Sequence, residues 1–236
     1  MGMRNEGTPL LRMRNVSFSF DRQPLLRQVD LEILPGRIVG VAGGNGAGKT
    51  TLLKLAAGLL VPQEGTIERL ASPGLCPVSY CLTLEQIPGW MSAKELAAYY
   101  RHFFGDFDRG QAEELLESLK IPRKRPVYRL STGQATLLAL SLGLSRRAGL
   151  YLCDEPLSGI EPALRRDIRR FLLRCMPEGS SLLMATHQLD ELQFLLDELV
   201  ILRRQGVEQI ETETIRQVYG LSVEDYFLKE TKGGSV

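Results

Sequence analysis

With 236 residues, 44% of them hydrophobic and 24% charged, the chain has enough apolar material for one substantial core, and its composition is that of an ordinary soluble globular protein. A net charge of +1 leaves no global signature of a nucleic-acid binder, and the local run Arg123-Lys124-Arg125 reads as a solvated loop. No apolar run reaches the roughly 18 residues of a membrane helix, and Met1 to Thr8 lack the apolar centre of a secretory signal. The chain is therefore expected in the cytosol, meeting a membrane only through a partner. The four cysteines, Cys76, Cys81, Cys153 and Cys175, have no metal-site spacing and read as free thiols in a reducing compartment.

The elements follow in chain order. Val16, Phe18 and Phe20 alternate with polar residues, as do Val29, Leu31 and Ile33, so two half-buried strands are expected around a turn at Asp21 to Pro24. Ile38 to Ala42 is a buried strand, and Thr51 to Leu60 has a helical pattern. Short strands are expected at Thr66 to Glu68 and Leu75 to Tyr80, divided by Ser72-Pro73-Gly74. Ser92 followed by Glu95 fits a capping box opening a helix that runs to Phe104. Gln111 to Leu119 is a second helix, stopped before Pro122. This block interrupts the alternation of strands and helices and reads as a separate lobe. Further elements are a helix over Thr132 to Ser145, a buried strand over Leu150 to Cys153 and a helix over Pro162 to Cys175. After these come a strand over Ser181 to Ala185 and a helix over Leu189 to Leu196. A hairpin of Leu199 to Leu202 with Val207 to Ile210 follows, and Thr231 to Val236 is expected to fray. Alternating strands and helices predict an α/β fold with a mostly parallel sheet covered on both faces.

Between the buried strand and the first helix stands Gly43-Gly44-Asn45-Gly46-Ala47-Gly48-Lys49-Thr50, which matches the phosphate-binding pattern G-x-x-x-x-G-K-[ST], followed by Thr51. Glycines let backbone N–H groups close around a polyphosphate, and the following helix adds its N-terminal partial positive charge. Lys49 is expected at the β- and γ-phosphates, and Thr50 at Mg²⁺. The apolar strand Gly149 to Cys153 ends in Asp154 and Glu155. Asp154 is the candidate Mg²⁺ holder through water, and Glu155 the group that polarises the attacking water. His187, just past another buried strand, is placed to donate to the γ-phosphate, whereas His102 reads as a surface or partly packed residue.

Leu130-Ser131-Thr132-Gly133-Gln134 closely resembles the L-S-G-G-Q signature of the ABC (ATP-binding cassette) ATPases. The order of phosphate loop, helical lobe, signature, acidic strand and switch histidine is that family's order, over about Leu11 to Ile210. The resemblance implies one domain over residues 1–236: a nucleoside-triphosphatase core at about 10–82 and 131–211 with an antiparallel β subdomain, a helical lobe at about 84–130, and a C-terminal segment at 212–236. It implies ATP and Mg²⁺ as cofactors and a facing second cassette, identical or related. Ser131, with Thr132, Gly133 and Gln134, would meet the ATP held by that partner. It also implies Phe20 stacking on adenine and a membrane permease docked on the helical lobe, which places the chain at the inner face of the cell membrane. Two positions depart from the family pattern: Thr83 stands where a Gln is usual, with Gln86 three residues on, and Glu161 stands where an Asp is usual. With Lys49, Asp154, Glu155 and His187 intact, an active ATPase is expected. Tyr100 to Asp108 resembles the lobe of small bacterial exporter cassettes, so export is the expected direction. The alternatives are a soluble ABC ATPase without a transport role and a low-activity regulatory subunit.

Overall fold

The structure is a computed structural model that describes residues 7–21, 23–71, 74–160, 172, 174–203 and 206–232. Two sheets carry the chain. A three-stranded antiparallel sheet has the order β2-β1-β4, from β1 (Leu11–Phe20), β2 (Gln23–Ile33) and β4 (Glu64–Arg69). A six-stranded sheet has the order β5-β6-β7-β3-β8-β9, from β3 (Ile38–Ala42), β5 (Cys76–Cys81), β6 (Ala148–Asp154), β7 (Ser181–Ala185), β8 (Glu198–Arg203) and β9 (Gly206–Glu211). Its strands run parallel except β9, which pairs antiparallel with β8 at the edge.

The central strands are apolar at nearly every position because both faces of this sheet are covered. Val39, Val41, Leu150, Leu152, Leu183, Val200 and Leu202 face one core, shared with the antiparallel sheet and helix α1 (Lys49–Ala57). Ile38, Tyr151, Cys153, Leu182, Met184, Leu199 and Ile201 face a second core. That core is built on α4 (Thr132–Leu144), which follows α2 (Ala93–Phe103) and α3 (Arg109–Ser118). Alternation of period two is thus present in each strand, although polarity does not reveal it.

Helix α4 is buried from Ala135 through Leu144, as a helix apolar on all sides must be. Its close approach to β5 requires Gly143: a Cβ there would lie 2.4 Å from Cys81 Sγ and 3.0 Å from Cys81 Cα. The Gly143 carbonyl accepts from the buried Ser79 hydroxyl at 2.8 Å. The helical segment is pinned to this region by the loop after α2. Asp106 accepts two hydrogen bonds from Arg146, at 3.0 and 3.1 Å, and the Arg146 guanidinium lies 4.0 Å over the Phe104 ring. A fork-to-fork pair with a stacked aromatic holds position as well as charge.

The expected elements are present with shifted ends. The turn expected at Asp21 to Pro24 is tighter, because Gln23 and Pro24 already pair with Phe20 and Ser19. Helix α1 stops at Gly58, whose left-handed backbone returns its N–H to Leu55. The helix expected over Leu189 to Leu196 ends at Leu192 as α5 (Leu189–Leu192), since the chain must turn so that Asp197 can bond both the N–H and the carbonyl of Ile38. Two helices, α6 (Thr212–Val218) and α7 (Val223–Lys232), follow β9 where no element was expected. Thr231 is therefore helical rather than frayed, its hydroxyl donating to the carbonyl of Phe227 at 2.8 Å. The helix expected over Pro162 to Cys175 and the Glu161 departure fall largely on residues outside those described.

Gly143→Ala should destabilise the fold by about 1–3 kcal/mol, the usual cost of overpacking a core. Equilibrium denaturation in urea measures this, and an unchanged midpoint would show that β5 and α4 can separate freely.

Candidate functional site

The loop 43–48 leaves β3 and enters α1 with Gly46 at φ 74° and Gly48 at φ 100°. Gly48 is also the residue before the helix, and no side chain caps the first turn of α1. The free N–H groups of that turn are therefore available to an anion. Lys49 is buried, and its Nζ donates to the carbonyls of Gly43 at 2.8 Å and Gly44 at 3.3 Å. Burial lowers the Lys49 ammonium below its ordinary value, opposed by the charges of Glu155 and Asp154.

The loop faces the ends of β6 and β7. Thr50 Oγ1 donates to Asp154 Oδ2 at 2.6 Å, so hydroxyl and carboxylate stand side by side. Glu155 has a left-handed backbone, φ 48°, which is uncommon for a residue with a side chain. The strain is held from both sides: its N–H donates to the Ala185 carbonyl at 2.9 Å, and its own carbonyl accepts from Ser158 N at 3.0 Å. Its carboxylate is thereby turned toward His187. The His187 N–H lies 3.4 Å from Oε2, and His187 Nε2 lies 3.4 Å from Oε1, an ion-pair distance at which Oε1 forms no hydrogen bond. Burial raises the Glu155 carboxyl above its ordinary value, with His187 pulling the other way.

These groups share one cleft of about 530 Å³, lined by Asn45 to Thr51, Thr83, Asp154, Glu155 and His187, with Leu25, Leu140 and Thr136 among its walls. Gly43 and Gly44 sit behind it as acceptors for Lys49. Of the two alternatives at the Gln position, only Thr83 lines the cleft. The Gln86 side-chain oxygen turns back to accept from the Thr83 N–H at 2.9 Å. The oxygen donors Thr50, Asp154 and Thr83 fit a hard cation such as Mg²⁺. No cluster of three or more His, Cys, Asp or Glu ligands exists among the described residues. Magnesium typically uses one or two protein oxygens beside substrate phosphates, so such a cluster is not needed.

Phe20 and the signature lie outside this cleft. Phe20 is 52% exposed at the end of β1, its ring edge-on to Phe18, so it is not a core residue. Ser131 and Gln134 cap α4 reciprocally, the Ser131 hydroxyl accepting from Gln134 N and the Gln134 side chain from Ser131 N, both at 3.2 Å. Gly133 is pressed against the loop after Glu155, where a Cβ would meet the Gly159 carbonyl at 2.8 Å.

Two residues of this neighbourhood were not anticipated. Thr136, on α4, donates to both Thr132 O and Ser158 O at 3.0 Å, tying the signature helix to the Glu155 loop. The available signal was a hydroxyl one turn after the signature, where the helix otherwise becomes apolar. Tyr80 has a buried hydroxyl without a well-shaped hydrogen bond. Burial pushes it up to about 12, Asp154 adding and Gln86 opposing. Only the register of β5 against β6 places it there.

Residues 26–158 match the family described as ABC transporter. The chain is 28% identical over 208 residues to the ABC transporter ATP-binding protein YtrB of Bacillus subtilis, covering 85% of this chain and 71% of that one. It is 31% identical over 208 residues to the zinc import ATP-binding protein ZnuC of Pseudomonas aeruginosa, covering 83% and 72%. To a sulfate/thiosulfate import ATP-binding protein of Rhizobium meliloti it is 30% identical over 221 residues, covering 86% and 59%. A solved structure of an ATP-binding subunit of an ABC transporter superposes with a TM-score of 0.77 at 23% identity, covering 94% of this chain and 99% of that one, and so shares the fold.

A group whose folded pKa is raised holds its proton more tightly when folded. The stability it contributes is present below the unfolded value and lost as pH rises through the folded one. Glu155→Gln, which mimics the protonated carboxyl, should therefore be more stable than the parent at neutral pH. The difference should shrink as pH falls into the carboxylate range. Thermal unfolding of both proteins across that range tests this; a difference independent of pH would refute it.

Proposed function

This chain belongs to the ABC transporter ATP-binding family and is a transport-coupled ATPase, and we propose that it hydrolyses ATP with Mg²⁺ at the cleft between α1 and the ends of β6 and β7. The reading is carried by one observation. A buried lysine and an uncapped helix start face a carboxylate, Glu155, whose Oε1 makes no hydrogen bond among the described residues.

In this reading the loop N–H groups of residues 43–48 and Lys49 hold the β- and γ-phosphates, with Thr51 at the same helix start. Thr50 and Asp154, with Thr83, hold Mg²⁺, which when bound offsets phosphate charge. Glu155 orients a water for attack on the γ-phosphorus, and the bond to the bridging oxygen of ADP breaks. His187 donates to a γ-phosphate oxygen, and its backbone N–H and ring both face the Glu155 carboxylate. Phe20, exposed at the end of β1, stacks on adenine.

The same proposal places a second cassette, identical or related, against this one. Ser131, Thr132, Gly133 and Gln134 then meet the partner's ATP. The support is the exposure of Ser131 and Thr132 at the start of α4. The γ-phosphate supplies the affinity that separates closed from open dimers, and its cleavage releases the clamp.

A membrane permease docks on the helical segment at about 84–130 and keeps the chain at the inner face of the membrane. Trp90 and Tyr128 support this: they are 74% and 66% exposed and adjacent, the Tyr128 N–H donating to the Gly89 carbonyl. No helix among the described residues is long and apolar enough to cross a membrane. Export, expected from Tyr100 to Asp108, has no support among the named relatives, two of which are import proteins by name. The direction is assigned to the permease.

Glu155→Gln should keep ATP binding, lose about 10²–10⁴-fold in turnover, and accumulate as an ATP-bound dimer in size-exclusion chromatography. A parent protein with no turnover beside its copurifying permease would instead favour the regulatory reading that Thr83 and Glu161 suggest. Trp90→Ala combined with Tyr128→Ala should reduce permease recovery in pull-downs while nucleotide binding is retained; undiminished recovery would move the docking surface elsewhere.

A further inference from the structure

A second cleft, of about 640 Å³, opens between α2 and α3, away from the nucleotide site. Ala97 and Leu116 give it an apolar floor. Lys94 and Arg101 of α2, Arg109 of α3 and Arg123 of the following loop line its walls, with His102 at one end. The Lys94 N–H donates to the Arg123 carbonyl at 3.0 Å, so the loop is fastened to α2. Four fixed cations thus meet a single lining carboxylate, Glu113. That carboxylate is taken by Arg109 at 2.6 Å and stands 3.9 Å from Arg123. Lys94 and Arg101 have no ion-pair partner among the described residues. In a chain of net charge +1 this is a strong local concentration of positive charge.

Beyond His102, outside the cleft lining, α2 carries two exposed aromatics. The His102 ring meets Phe103 edge-on at 4.9 Å, and Phe103 packs on Tyr99 with centroids 4.4 Å apart. Phe103 is 60% exposed and Tyr99 50%. Arginine forks and lysine match phosphate oxygens. Exposed aromatics beside basic residues match the boundary between lipid headgroups and acyl chains. A soluble phosphate uses the first feature and leaves the second unexplained.

We propose that the cleft between α2 and α3 is a binding site for the headgroup of an anionic phospholipid, through which the helical segment touches the bilayer directly. This rests on the reading that the chain works at a membrane face, and it adds a contact made by the chain itself rather than through a permease. Surface potential is screened within roughly 8 Å at physiological salt, so the contact is short-ranged and salt-sensitive.

The test is co-sedimentation of the full chain, without permease or nucleotide, with vesicles of phosphatidylcholine alone or mixed with phosphatidylglycerol. Binding should appear with phosphatidylglycerol only and fall as salt is raised. Lys94→Gln and Arg101→Gln should each lower partitioning about fivefold, the ordinary worth of one basic residue at an anionic surface. Glu113→Gln, which removes the opposing charge, should raise it. Unchanged ATP binding by all three variants establishes that they are folded. Equal sedimentation with both vesicle types, or variants that partition like the parent, would overturn the proposal. Binding of glycerol phosphate without vesicle binding would assign the cleft to a soluble phosphate. Retention of a single-stranded oligonucleotide alone would assign it to nucleic acid. Both results also overturn the proposal. Loss of turnover in the parent would count against the ATPase reading and leave vesicle binding unaffected.

Discussion

The structure is organised around the start of helix α1. Helices α2, α3 and α4 each begin at a residue whose side-chain oxygen accepts a backbone N–H of the first turn: Ser92, Asp108 and Ser131. Helix α1 begins at a glycine and has no such oxygen. Orphan N–H groups and the helix dipole there remain unanswered within the loop. Beside them lies a buried ammonium, Lys49. The compensating negative charge is delivered from elsewhere in the chain, by Asp154 and Glu155 at the end of β6. The parallel sheet makes this possible, because its strands end on one edge and β6, β7 and β3 are neighbours there. A polyphosphate with a hard cation satisfies both halves of this arrangement at once.

Helix α4 links that cleft to the remainder of the molecule. Its first turn carries the signature residues, its second turn reaches the loop after Glu155 through Thr136, and its last turn is pressed on β5 through Gly143. The loop following α2 then bears on the residues just beyond its C-terminus, where Asp106 and Arg146 meet. A single buried helix is thereby in contact with the nucleotide cleft, the segment that carries the exposed aromatics and the sheet core. A closely packed element of this kind transmits displacement because it has little room to absorb it.

The helical segment itself presents two different surfaces. Trp90 and Tyr128 form an apolar, hydrogen-bond-anchored pair, while α2 and α3 enclose a cationic cleft with Tyr99 and Phe103 beside it. The proposed permease docking and the proposed bilayer contact require different chemistry, and different residues would supply each. The small net charge of the whole chain, +1, conceals this division.

Most of the architecture was legible from residue pattern. Ile38 to Ala42 and Ser181 to Ala185 read as covered strands, because the first is apolar throughout and the second is apolar after its opening serine, which leaves no polar face. The phosphate loop, Asp154, Glu155 and His187 were readable because each stands at a strand end or helix start, positions set by local spacing. The ends of α1 and α5, the helices α6 and α7, and the tight turn after Phe20 were not, since they depend on where distant strands must enter the sheet. Gln86 and Thr83 were equivalent candidates until the backbone placed one in the cleft and turned the other into a cap. The Glu155 backbone strain, the orphaned Tyr80 hydroxyl, the Thr136 bridge and the pairing of α2 with α3 into a basic cleft all depend on residues far apart in the chain. Local chemistry and periodicity are written in neighbouring residues. Burial, charge balance and the company each side chain keeps arise only when non-adjacent segments pack, so tertiary structure alone decided them.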